Sequence, residues 1–246
     1  MGPGEVQLVH QHASLLHGLL VGAGVSAALV VVWAEARRRG LADERLLVLI
    51  AAGLVGGAVG MRVAGLVRAL DDVGGSATVL DAWRYGAKSV LGGLAGAYAG
   101  VLVGKRLTSY AGRTGALFAP AVALGMAVGR WGCFLTEPLG RPSHLPWAIR
   151  GHHPSFLYEI AFHAVAFALL LRWRDRLPEP ADLLVGYLAA YAVFRFAVEF
   201  TRANDVLALG LTGSQWFLLA VAPLLAWRVA RVQRPRAAAR TAQAAA

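Results

Sequence analysis

Apolar residues do not alternate along this chain. They run in seven blocks, at about 14–34, 46–67, 88–104, 115–135, 156–171, 183–200 and 213–230, with charged residues collected between them. A helix needs about 20 mostly apolar residues to cross about 30 Å of hydrocarbon, and in that medium each backbone group must find its partner within the segment. The blocks predict an all-α polytopic membrane protein with about seven transmembrane helices. Glycine interrupts several of them, as in Gly92-Gly93-Leu94-Ala95-Gly96 and at Gly56, Gly57 and Gly60, and small residues allow membrane helices to approach closely. The first block lacks a basic flank before it and has a basic run after it, so it reads as a span rather than a cleaved leader.

Composition agrees with that pattern. Of 246 residues, 57% are apolar and 15% charged, against about 45–50% and about 25% in soluble domains. A formal net charge of +10 would suggest nucleic acid in a soluble protein. In a membrane chain it reports orientation instead, because inner loops collect Lys and Arg. With the N-terminus outside and the C-terminus inside, 15 of the 24 basic residues fall on the inner side. Residues 1–233 are then expected to form one transmembrane domain, and 234–246 a frayed, basic, Ala/Arg-rich cytoplasmic tail near anionic lipid head groups. The single cysteine, Cys133, permits no intrachain disulfide.

The other nine basic residues lie in outer loops or outer helix halves, and an ionisable group inside a span marks a candidate site. Arg62, Lys88, Arg130 and Arg195 are the sharpest cases. Tyr191, Arg195, Glu199 and Arg202 recur at helical spacing on one face, and two arginines against one glutamate suit an anionic group such as a phosphate. Arg130 sits among glycines in Gly129-Arg130-Trp131-Gly132, and an outer loop supplies His152-His153-Pro154-Ser155 ahead of Tyr158-Glu159. A ligand carrying both phosphate and apolar chains is an anionic lipid. No metal or other cofactor is expected, since the adjacent His152 and His153 chelate poorly together and no HExxH or Cys/His cluster is present. Neither a GxSxG elbow nor a P-loop appears. Cys133 and His163 read as packing residues.

Five blocks in order resemble the prolipoprotein diacylglyceryl transferase family. They are Gly92-Gly93-Leu94-Ala95-Gly96; Gly129-Arg130-Trp131-Gly132-Cys133-Phe134 with Gly140-Arg141-Pro142; His153-Pro154-Ser155-Phe156-Leu157-Tyr158-Glu159; Arg195 through Arg202; and Gly213-Ser214-Gln215-Trp216. The resemblance implies a bacterial plasma-membrane enzyme that moves the diacylglyceryl unit of phosphatidylglycerol onto the lipobox cysteine of a prolipoprotein, releasing glycerol 1-phosphate. It places Arg130 and Arg195 on the family's head-group arginines, with Glu199 and Arg202 continuing that motif and Gly140 closing the signature. Leu91 replaces the family's histidine before the double glycine, Cys133 its asparagine, and Phe156 a glutamine. His17, before Gly18, stands near a family tyrosine. Gly86-Ala87-Lys88-Ser89 and Gly132-Cys133-Phe134-Leu135 resemble a variant branch. With Leu91 unable to accept a proton, His17, His153, Glu137 and Glu199 are the candidate bases. Lys88, Gly92, Gly93, Glu137, Tyr158 and Tyr191 are expected to contact substrate. A related transferase with another small thiol or alcohol acceptor, and a non-catalytic lipid-binding protein, stay open.

Overall fold

In a computed structural model of the chain, residues 3–68, 83, 89–176 and 182–244 are described. Seven α-helices lie among them: α1 Pro3–Arg38, α2 Glu44–Arg68, α3 Val90–Leu107, α4 Gly115–Thr136, α5 Ser155–Trp173, α6 Asp182–Val198 and α7 Gly213–Ala244. Five contain stretches long and apolar enough to cross a membrane, namely Leu15–Arg38, Glu44–Leu66, Gly115–Thr136, Ser155–Trp173 and Leu183–Thr201. The protein is thus an all-α, multi-spanning membrane protein.

Two local features depart from the expected pattern. The segment expected to fray after residue 233 continues α7 as far as Ala244, because Ala and Arg are strong helix formers. A 3-10 turn, Glu199–Thr201, closes α6 and leads into a short hairpin, β1 Val206–Ala208 and β2 Leu211–Thr212. Its turn residues Leu209 and Gly210 have positive φ. Lys88 and most of the connection at about 68–87 lie outside the described residues.

The chain divides into two compact units. One comprises residues 37–112, where glycines bring α2 and α3 together. A Cβ on Gly96 would fall well inside contact distance of the Gly56 carbonyl oxygen, whereas one on Gly93 would meet the Met61 Cβ at an ordinary 3.5 Å. The interface is backbone against backbone, the geometry small residues permit in lipid. Ser89 caps α3, its Oγ accepting from the Gly92 amide at 3.2 Å. Arg62 donates to the Trp83 carbonyl at 2.8 Å and lies over the Trp83 ring, so this intramembrane arginine is tied structurally.

The other unit comprises residues 1–36 and 113–246. Here α4 carries a buried face that includes Ala119, Ala123 and Arg130. Ala119 and Ala123 join Leu170 of α5 and Leu183 and Tyr187 of α6 in an apolar cluster. Glycines set the approach of α1: a Cβ on Gly24 would meet the Gly129 amide nitrogen at 3.0 Å, and one on Gly132 the His17 carbonyl at 3.2 Å. Large apolar side chains such as Val30, Val165 and Val193 face outward, while Arg130, Glu159, His163, Arg195 and Glu199 are buried. That inverted polarity fits a protein whose solvent is lipid, where charged groups turn toward the interior.

The glycine contacts predict a graded response within the first unit. Gly96→Ala should lower stability by about 1–3 kcal/mol, while Gly93→Ala should be nearly neutral. Thermal unfolding of the two variants in detergent measures the difference.

Candidate functional site

The second unit holds a buried ionic network centred on Glu159, one turn into α5 and fully inaccessible. One carboxylate oxygen meets Arg130 Nη2 at 2.6 Å and accepts from the Tyr191 hydroxyl at 3.2 Å. The other accepts from Arg202 Nη1 at 2.8 Å. Helices α4, α5 and α6 each contribute one member, and Arg202 follows the 3-10 turn. Arg195 pairs with Glu199 one turn along. Glu199 also accepts from Asn204 Nδ2 at 2.7 Å and Thr212 Oγ1 at 2.8 Å. Gln215 secures that corner, accepting from the Thr212 amide at 2.9 Å and donating to the Phe196 carbonyl at 3.2 Å.

Three guanidinium groups therefore face two fully buried carboxylates. The third carboxylate, Glu137, is 40% exposed and reaches Arg202 only at 4.0 Å. The Nε atoms of Arg130 and Arg195 are buried without a hydrogen-bond partner. A buried donor left unpaired is costly, so two unpaired N–H groups beside an excess of positive charge make an anion-binding arrangement. Arg202 lies over the Phe156 ring, 4.3 Å from its centroid, a contact the aromatic side chain supplies where the family pattern has glutamine. Burial draws the Arg202 guanidinium below its ordinary pKa, while Glu159 opposes that shift.

A second constellation adjoins the network through Arg130, whose Nη1 lies 3.6 Å from Cys133 Sγ. His17 of α1 stands at Cys133 and Glu137, its Nδ1 3.9 Å from Glu137 Oε1 and 3.3 Å from Thr136 Oγ1. The Thr136 hydroxyl is already committed as donor to the Gly132 carbonyl at 2.7 Å. It offers His17 only a lone pair, which makes Nδ1 the protonated nitrogen and leaves the Nε2 lone pair free.

The remaining candidates lie elsewhere. His153 Nδ1 meets the Tyr158 hydroxyl at 3.2 Å, and that hydroxyl accepts from Trp147 Nε1 at 2.9 Å, a trio formed with the outer loop. Gly140 has its amide on the His153 carbonyl at 2.9 Å, and a Cβ there would collide with Thr201 and Ser155. Its missing side chain is therefore required by packing of the loop onto the 3-10 turn. Gly92 and Gly93 belong to the other unit, where they pack against α2. Among the named candidates, the network gathers Arg130, Tyr191, Arg195, Glu199 and Arg202, with Glu137 and His17 at its edge. Glu159, Asn204 and Thr212 were not candidates from sequence. Glu159 had an available signal: it ends the segment His153–Glu159 and stands one helical turn before His163, whose Nδ1 meets the Tyr187 hydroxyl at 2.9 Å.

Because Glu159 neutralises two buried guanidinium groups, Glu159→Ala should destabilise the fold by about 3–5 kcal/mol. Thermal or denaturant unfolding of the detergent-purified variant measures this loss.

Comparison with known proteins agrees with the resemblance. The sequence profile of the family described as prolipoprotein diacylglyceryl transferase matches residues 6–230. A Methylobacillus flagellatus protein named phosphatidylglycerol–prolipoprotein diacylglyceryl transferase is 38% identical over 144 residues, covering 50% of this chain and 54% of that one. Proteins of the same name from Bordetella avium and Vibrio vulnificus are 39% identical over 115 residues and 41% identical over 104. Those two matches cover 41% and 39% of this chain, and 44% and 38% of the relatives. The chain thus matches about half or less of the length of these curated relatives.

Proposed function

The chain belongs to the prolipoprotein diacylglyceryl transferase family, and on that premise we propose that it transfers the diacylglyceryl group of phosphatidylglycerol to the cysteine thiol of a prolipoprotein. The observation that carries this reading is the pair of unpartnered Nε donors on Arg130 and Arg195, set in a surplus of positive charge inside apolar helices. Such a site suits a phosphate whose ester carries two acyl chains. The reading includes a bacterial plasma-membrane location and seven spans with the N-terminus outside and the C-terminus inside. Residues 1–233 serve as the transmembrane domain and 234–246 as its cytoplasmic extension.

In the reaction, the acceptor sulfur attacks the glycerol carbon that bears the phosphate. A C–S bond forms, the C–O bond breaks, and its electron pair leaves on the phosphate as glycerol 1-phosphate. Arg130 and Arg195 neutralise the charge that grows on the departing oxygen, an electrostatic role that acts strongly in a dry, preorganised site. Glu199 orients Arg195, while Glu159 and Tyr191 orient Arg130, and Arg202 adds positive charge beside them. His17 and Glu137, at the edge of the arginine network, mark where the acceptor thiol loses its proton. His153 and Tyr158 serve the outer loop where the head group arrives. Gly140 keeps that loop packed on the 3-10 turn.

Leu91 and Cys133 stand where the resemblance implies histidine and asparagine; a variant branch is part of the proposal, and it favours one second reading, transfer to a different small thiol or alcohol. Incubation with radiolabelled phosphatidylglycerol and a lipobox peptide separates the two. Labelled peptide is the expected result, and glycerol phosphate released without labelled peptide identifies the second reading. Arg195→Ala should lower peptide labelling by about 100–1000-fold. Arg195→Lys should recover little, because an ammonium cannot reproduce the planar guanidinium fork.

A further inference from the structure

His17, Cys133 and Glu137 each offer a ligand atom, and the three lie within 4.8 Å of one another. Cys133 and Glu137 are one helical turn apart, with the Glu137 amide bonded to the Cys133 carbonyl at 2.8 Å, so their side chains share a face. His17 arrives from α1, brought there by glycine contacts that include Gly132. One thiol sulfur, one imidazole nitrogen and one carboxylate oxygen form a donor set for a borderline-soft divalent cation of the zinc class.

Tetrahedral zinc bonds of about 2.0–2.3 Å place neighbouring donors about 3.3–3.6 Å apart. The observed spread of up to 4.8 Å among the three ligand atoms is wider than that range. The remaining closure falls on His17 and Glu137, whose side chains are 37% and 40% exposed and so have room to rotate. Thr136, beside His17 Nδ1 at 3.3 Å, supplies the outer hydrogen bond that orients a metal-ligating imidazole. The adjacent Arg130 charge is offset by Glu159 at 2.6 Å, which lessens its opposition to a cation. Three protein ligands leave a fourth position open, the hallmark of a catalytic rather than a structural site.

We propose that His17, Cys133 and Glu137 bind a zinc-class divalent cation whose fourth position takes the acceptor thiol. This inference rests on the transferase reading for the identity of that thiol. A metal-bound thiol is deprotonated outright: the acceptor displaces a bound hydroxide, which leaves as water carrying the thiol proton. The cation then presents a thiolate beside Arg130, a role that the absent histidine at Leu91 cannot fill.

Cobalt(II) added to the full-length protein in detergent is the direct probe. One equivalent should survive desalting and show thiolate-to-cobalt charge-transfer absorption. Cys133→Ser should abolish that band, and His17→Gln, at a half-exposed position, should weaken cobalt binding by at least about 100-fold. A lipobox peptide should intensify the band, and its Cys→Ser counterpart should not. Absence of bound cobalt, or a band indifferent to Cys133→Ser and His17→Gln, overturns the proposal. In the labelling assay, a chelator should stop transfer and zinc should restore it. Full transfer by metal-free protein overturns the cation's role and leaves the transferase reading intact. Cobalt binding that responds to the peptide, in a protein that never transfers label, sustains the metal site and overturns the transferase reading.

Discussion

Glu159 holds Arg130 and Arg202 through different carboxylate oxygens while being wholly inaccessible. A guanidinium cannot be stripped of water in an apolar interior unless an opposite charge and fixed hydrogen bonds replace that water. Arg130 comes from α4, Arg202 follows the 3-10 turn after α6, and Glu159 lies in α5 between them. One carboxylate thereby joins three chain segments and permits a positive site inside a lipid-facing shell. Tyr191 extends the same connection, donating to Glu159 while its oxygen accepts from Arg130 Nη2 at 3.4 Å.

The network is satisfied on one side and open on the other. Glu199 is saturated by Arg195, Asn204 and Thr212, so Arg195 has little freedom to swing away. The unpartnered Nε atoms of Arg130 and Arg195 are donors held in place before any ligand arrives. Preorganisation of this kind suits the proposed role, stabilising charge in a transition state. Phe156 contributes by flanking Arg202 with an aromatic face, a packing role that a glutamine would fill by hydrogen bonding.

The second constellation changes the meaning of two residues. Cys133 reads from sequence as an inert packing thiol, and burial agrees with that. Its neighbours do not: Arg130 stands at 3.6 Å, and His17 and Glu137 lie within ligand reach. His17 is separated from Cys133 by more than a hundred positions, so no spacing rule for metal ligands would have paired them. Only the close packing of α1 on α4, permitted by Gly24 and Gly132, brings the imidazole to the end of α4.

Hydropathy by itself determined the all-α membrane architecture, because the lipid interior admits few alternatives for a run of about 20 apolar residues. Helical spacing likewise placed Tyr191, Arg195 and Glu199 on one face. Sequence misjudged the end of α7, where helix propensity carries the chain to Ala244. It also left Glu159 as one letter in a motif, since nothing local says which arginine a carboxylate will meet. The tertiary structure decided that Glu159 bridges Arg130 and Arg202, that Gly140 is required by packing, and that His153 pairs with Tyr158. Those outcomes depend on contacts between segments far apart in the chain. Burial fixes which charges must find each other, and only packing fixes the partners.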